Sequence, residues 1–281
     1  MKQVICIIML FLSAQLVGQN YQKIIISNER VGDGLFDFYA ENPNLYPMQI
    51  CLTFTDFQNM TASCQLPYIA TVYPGKAKIF NLRRTLIDIP GSFKYTYSTR
   101  VGAYPVVYDP SAFYILPIAT GKQTNVTYFD TSKSDDPSKI MMSFSLSKGD
   151  TVYSCREGVV CLKNESRFKN GYRMGENSIT ILHPDNSFSK YEVFADSQLF
   201  VTLGDTISAG APLGLAGGSN YAMGAHVQFS VYYANVRIDS IEENKIRNYY
   251  QYVNPLFKTG KAKAEVLKDK KVYTQNYSVT K

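Results

Sequence analysis

The chain has no tryptophan, no Cys-x-x-Cys pair, and only two histidines, His183 and His226. Two imidazoles are too few for a site built from several of them, and the missing thiolate pairs exclude a finger-type zinc site. Nothing approaches the roughly 18 to 20 consecutive apolar residues of a membrane-spanning helix. The longest apolar run, Val4 to Leu12, follows Lys2 and precedes small or polar residues around Gly18, which is the layout of a secretory signal peptide. Residues 1–18 are therefore expected to be a leader that takes Cys6 with it, leaving an exported mature chain. Basic residues interleaved with aromatics, as in a nucleic-acid groove, are also lacking. The formal net charge of +6 comes mostly from the C-terminal end, where seven lysines after Phe257 face only Glu265 and Asp269. That end, 258–281, reads as a solvated basic tail or edge strand, with attraction to an anionic envelope polymer as the alternative.

What is abundant favours β-structure: 22 Tyr, 16 Phe and many Val, Ile and Thr. In MQICLTFT (48–55), Ile50, Leu52 and Phe54 alternate with Cys51, Thr53 and Thr55, and in SFKYTYSTR (92–100), Phe93, Tyr95 and Tyr97 share a face. Turn signals fall between such runs at Asn42-Pro43, Pro74-Gly75 and Pro90-Gly91. The expectation for residues 19–108 is an Ig-like β-sandwich. Pro105, Pro110 and Pro117 mark a connector into a second β-module over 109–257. Four cysteines remain after the leader, Cys51, Cys64, Cys155 and Cys161, an even number that favours disulfides in an exported chain. Of the three possible pairings, the local ones, Cys51 to Cys64 and Cys155 to Cys161, are preferred.

The second module echoes itself: KGDTVYSCREGVVCL (148–162) and LGDTISAGAPLGLAG (203–217) each begin Gly-Asp-Thr and return after a glycine, as expected of a sheet folded over on itself. A biotinyl- or lipoyl-type carrier has similar strands but needs a lysine at a tight turn. The turns ADSQ (195–198) and GGSN (217–220) have none, so that class is discarded. The stretch GAHVQFSV (224–231) alternates as a strand, so His226 and Gln228 point the same way.

Taken in order, GDTVYSCREGVV, SITILHPDNSFSKYEVF, VTLGDTISAGAPLGLAGGS and MGAHVQFSV resemble the β-sheet core of the lysostaphin-type (LytM-like) zinc endopeptidases, family 23 of the metallopeptidases, which cut peptide cross-links in bacterial cell walls. The resemblance implies a folded-over antiparallel sheet in a protein of the bacterial periplasm or surface. It also implies a zinc held by a His and an Asp from an early segment and by the second His of a late His-x-His strand. Such a site leaves an open position where the metal activates water. At the matching positions the ligand carboxylate becomes Ser143, the early His falls within DDPSK (135–139), which has no imidazole, and the late ligand becomes Gln228. The His of a Tyr-x-His segment becomes Val193, while His226 keeps the other catalytic position. A hydroxyl and a carboxamide are poor zinc donors beside imidazole or carboxylate. The resemblance therefore points to an emptied site with no metal, no cofactor and no catalytic residue.

The expected function is that of a pseudo-peptidase binding cell-wall peptide or an envelope protein, with Tyr153, Tyr191, Glu192, Tyr221, His226 and Phe229 as groove candidates. The alternative is an active metallopeptidase with relocated ligands drawn from Asp130, Asp135, Asp136 or Glu192 together with His226. His183, at the end of an apolar strand before a turn, reads as a strand-end histidine bonded to backbone.

Overall fold

The computed structural model describes residues 22–106, 108–132, 136, 138–169, 172–239, 245–260 and 264–276. The expected leader lies outside the described residues. Within them every regular element is a β-strand, as the composition predicts. Among the described residues no helix is long and apolar enough to cross a membrane.

Two sheets form from the first hundred residues. One has four strands in the order Ile25–Gly32, Leu35–Asn42, Gly75–Arg84, Met60–Ala62, and the other has Met48–Gln58 between Tyr68–Val72 and Ser92–Val101. The alternation in Met48–Gln58 sends Leu52 and Phe54 inward, where they meet Phe38, Phe80, Phe93 and Tyr95 from both sheets. Phe38 stacks on Phe80 at 4.6 Å and meets Tyr95 edge-on at 5.4 Å. Rings in these arrangements bury large apolar area and add a directional attraction that fixes how the sheets face each other.

A nine-stranded antiparallel sheet dominates the rest. At its centre the 14-residue strand His226–Asp239 pairs with Phe188–Glu192 on one side. Its other side is shared in succession by Met142–Ser145 and Lys245–Val253. Lys271–Thr274 forms an edge strand against Gln123–Tyr128, so part of the lysine-rich end belongs to this sheet. One face packs Phe144, Tyr191, Val227, Phe229 and Val231 against Tyr114, Phe194, Leu213 and Phe257 from smaller sheets. The opposite face contributes Phe188 and Tyr232 to a cluster shared with Met48, Ile50, Val72 and Val101 of the N-terminal sheets. Gly102, at φ +119°, lies where the chain runs onto this face. A Cβ there would sit 2.9 Å from Ala234 Cβ and 3.0 Å from the Phe188 ring, so the close approach and the positive φ both call for glycine. Arg100 fastens the same junction by donating to the Asn248 carbonyl at 2.6 Å and stacking on Tyr250 at 4.6 Å.

The expected disulfides do not form, and all four cysteines are free thiols. Strand geometry explains both cases. Leu52 points into the aromatic cluster against which Cys64 packs, so its neighbour Cys51 is turned to the other face of the strand. Cys155 belongs to the core on one side of the large sheet and Cys161 to the core on the other. Burial pushes both of these thiols well above their ordinary pKa, and they act as small apolar side chains.

The shared cluster predicts that the N-terminal sheets and the large sheet unfold together. Phe188→Ala removes a fully buried ring from that cluster and should cost about 3 to 5 kcal/mol. Urea unfolding followed by fluorescence of single tryptophans placed in each part should show both transitions shifting together; movement of one alone would contradict the coupling.

Candidate functional site

The site is built on the face of the large sheet that also carries Phe188 and Tyr232. Directly paired residues point to the same face, and the register lines up Ser178, Glu192, Gln228, Ser143 and Thr127 across five adjacent strands. In the next row of this face His226 pairs with Ser145. Ser143 and Gln228, far apart in sequence, are thus brought directly opposite each other, with Glu192 on the far side of Gln228. Toward the N-terminal sheets the same face turns apolar at Phe188 and Tyr232.

Glu192 is the charged centre of this row. Its carboxylate accepts from Lys190 Nζ at 2.7 Å, and Lys139 Nζ lies 3.8 Å from its other oxygen. Burial pushes the carboxyl pKa up, but the ammonium groups of Lys190 and Lys139 outweigh it and hold the group below the usual glutamate range. Lys139 closes the DDPSK segment in which the resemblance places a ligand histidine.

His226 is fully buried. Its Nδ1 lies 2.7 Å from the Gly224 carbonyl, which can only accept, so Nδ1 carries the hydrogen and in the neutral ring the lone pair is on Nε2. Among the described residues neither His226 Nε2 nor Ser143 Oγ, both buried, has a protein partner. The ring is roofed by the segment 217–224. His226 N donates to the Gly217 carbonyl at 3.1 Å, Gly218 lies against the ring, and Tyr221 packs at 5.5 Å between centroids.

Val193 sits beside this roof, 2% exposed and at φ +74°. That conformation is strained for a β-branched residue. Its carbonyl accepts from Gly217 N at 2.8 Å and its amide donates to the Asn177 carbonyl at 3.1 Å, which holds it there.

Two groove candidates are corrected by strand parity. Tyr191 and Phe229 occupy the opposite face, buried in the core with Tyr114 and Phe257. Tyr191 uses its hydroxyl to accept from Cys155 N at 2.7 Å. Tyr153 pairs with Pro212 in a smaller sheet and lines a small cleft with Ile118, Leu146 and Asp150. Glu192, Tyr221 and His226 are on the polar face or its roof.

Of the relocated-ligand candidates, Asp130 and Asp136 accept from the amides of Ser132 and Ser138 in local turns, and Asp135 lies outside the described residues. Among the described residues no group of three or more His, Cys, Asp or Glu is placed to hold a metal ion. The donors at the site itself are one imidazole, a hydroxyl, a carboxamide and a lysine-paired carboxylate, and a single imidazole among such weak or already paired oxygens does not fit the usual zinc set of three strong ligands.

A feature the sequence reading missed is a wide, open cleft of about 470 Å3 whose wall is as apolar as it is polar, with Leu146 and Val272 beside Lys122, Gln123, Asn125, Ser145, Ser147 and Asp150. Lys122 spans it to Asp150 at 2.6 Å. Since Ser145 is the register partner of His226, this cleft opens beside the polar row.

Residues 141–240 match Peptidase family M23. The M23-like segment contains Ser143, Glu192, Val193, His226 and Gln228, and it leaves the N-terminal sheets outside. Among solved structures, the catalytic domain of lysostaphin from Staphylococcus simulans is 24% identical over 32% of this chain and 63% of that domain, with a TM-score of 0.26. The chain thus spans less than two thirds of that domain. The catalytic domain of the prophage-encoded M23 protein EnpA from Enterococcus faecalis is 19% identical over 42% of this chain and 79% of that one, at a TM-score of 0.28. Csd3 of Helicobacter pylori is 12% identical over 71% of this chain and 45% of that one, at 0.31. No curated protein matches the chain.

His183 behaves as a strand-end histidine. Its Nδ1 lies 2.6 Å from the Glu157 carbonyl, its ring meets Tyr114 edge-on, and the Arg156–Asp185 pair is alongside. Burial, opposed by the Glu157 hydrogen bond, holds its pKa down to about 4. The unfolded chain therefore takes up a proton at this residue near the ordinary value of about 6.5, while the folded chain does not until about 4. Stability contributed by the neutral ring falls as pH drops between these values, by about 3 kcal/mol. Urea midpoints measured from pH 7.5 to pH 4 should show this slope in the native protein and lose it in His183→Gln; equal slopes would refute the assignment.

Proposed function

We propose that this chain is an exported, non-catalytic protein of a bacterial envelope whose LytM-like face binds cell-wall peptide or an envelope protein. In this reading the N-terminal pair of sheets is an Ig-like sandwich and the segment after it a folded-over peptidase core. The observation that carries it is the Lys139–Glu192–Lys190 cluster. Two ammonium groups beside the sole carboxylate of the polar row disfavour a divalent cation there by like-charge repulsion. Without a bound metal, the water activation that the M23 likeness implies has no source in the residues of this face.

Binding does not need that chemistry. A sheet face and its clefts are set by packing, and they persist when a reactive centre is lost. The cleft beside the polar row offers donors and acceptors of the kind peptide backbone requires in the amides of Gln123 and Asn125 and the hydroxyls of Ser145 and Ser147, next to the Lys122–Asp150 ion pair. Peptide links of a bacterial wall are rich in such groups. The match of residues 141–240 to a peptidase family supports a peptide-like ligand.

The test is retention on purified, insoluble cell wall and titration with soluble wall peptides. Retention should be unaffected by a chelator and should produce no new peptide ends. Ser147→Trp, an exposed position whose larger side chain fills the cleft, should reduce retention at least tenfold with an unchanged circular dichroism spectrum. Release of peptide fragments that stops with chelator would overturn the non-catalytic reading. Retention of Ser147→Trp equal to the native protein would remove the cleft as the binding place.

A further inference from the structure

Gln49, in the central strand of an N-terminal sheet, is 0% exposed, and among the described residues neither its amide nitrogen nor its amide oxygen has a partner. A buried carboxamide normally fills part of its capacity, because each orphaned polar atom costs free energy comparable to a lost hydrogen bond. A second orphan lies beside it. Arg100 is the register partner of Gln49, so the two side chains leave the same face of the sheet. The buried Arg100 Nε likewise has no acceptor among the described residues. This is the place where the strand Lys245–Val253 meets the N-terminal half, through the contacts of Arg100 with Asn248 and Tyr250.

The neighbours of this pair are already engaged. Thr71, the partner of Gln49 on its other side, donates to the Tyr104 carbonyl at 2.9 Å and accepts from the Tyr104 amide at 2.8 Å. Asn248 Nδ2 donates to Ser98 Oγ at 2.9 Å, while Asn248 Oδ1 is a further buried orphan. Turning the Asn248 amide over keeps the Ser98 bond, with the hydroxyl then donating, and presents Nδ2 in place of Oδ1. N–H donors of Gln49, Arg100 and Asn248 are then free at one junction. Arg100 is a permanent cation, yet among the described residues its partners are a neutral carbonyl and a ring, and no carboxylate pairs with it.

We propose that a single small anion of the halide class binds between Gln49 Nε2 and Arg100 Nε and pins the N-terminal sheet to the hairpin formed by His226–Asp239 and Lys245–Val253. Surplus N–H donors around a guanidinium without a carboxylate call for an acceptor that carries negative charge, since such hydrogen bonds are the stronger ones. The complete enclosure of Gln49 excludes an anion with a chain attached, so phosphate esters and peptide carboxylates do not fit. A monatomic ion reaches the place past Ser98, which is exposed. A water donating to both the anion and Gln49 Oε1 satisfies the last orphan. The donors come together only when the two halves are joined, so the ion stabilises the folded junction and not the unfolded chain.

Thermal unfolding of the full chain in sodium chloride or bromide, against sodium gluconate at the same ionic strength, tests this together with anomalous diffraction from crystals grown in bromide. Gluconate is too large for the enclosed place. Raising halide from about 1 to about 100 mM should lift the unfolding temperature by about 3 to 5 °C, and bromide should give a peak between Gln49 and Arg100. Gln49→Leu should be less stable than the native protein in chloride and should lose the halide dependence. If nothing binds there, the same substitution removes two orphaned atoms and leaves the protein as stable or more so, which overturns the proposal. Equal unfolding temperatures in halide and gluconate overturn it too, as does a halide dependence that survives Gln49→Leu. Should Gln49→Leu not fold, the native bromide map decides alone: a peak supports the ion, and density for water only rejects it.

Discussion

The register of the strand His226–Asp239 is the constraint on which everything else in the second half of the molecule depends. A slip of one residue against Met142–Ser145 or Phe188–Glu192 would send Val227, Phe229 and Val231 out of the core and drive His226, Gln228 and Ser230 into it. Apolar burial on one face therefore dictates which polar groups meet on the other. The same strand, further along, supplies Tyr232 and Ala234 to the surface against which the N-terminal sheets rest. One periodicity thus arranges the polar row, its neighbouring core and the junction between the two halves.

The polar row is assembled from residues that would be unremarked singly. A carboxylate buried on a sheet face is costly unless paired, and Glu192 is paired with Lys190 from its own strand and with Lys139 from the segment leading into Met142–Ser145. The arrangement ties the approach segment to the sheet and sets two positive charges against the one negative charge of the row. Around it stand a buried imidazole, a strained Val193 and a glycine-rich roof.

Period-two reasoning made much of this legible. The all-β class, the shared direction of His226 and Gln228, and the inward set of Met48–Gln58 follow from alternation alone, and the M23 match covers the stretches whose order suggested it. Parity applied to Tyr191 and Phe229 would also have removed them from the groove list, since each is the immediate neighbour of a polar-row residue. The cysteines failed for a related reason: closeness in sequence says nothing about faces, and Cys155 and Cys161 end in different cores. What the sequence could not reveal depends on loops whose course is fixed by distant contacts. Lys139 reaching Glu192, Tyr221 reaching Glu176, and the cleft beside Ser145 each join segments with no periodic relation.

The central claim is that lysine ammonium groups, rather than a divalent metal, balance the charge of the polar row. Crystals grown in millimolar zinc and measured on both sides of the zinc absorption edge address it directly. The account predicts no anomalous peak at the row, with the Lys139 and Lys190 side chains ordered against Glu192. A full-occupancy peak at zinc bonding distance, about 2.0 to 2.2 Å, from His226 or Glu192 would contradict it.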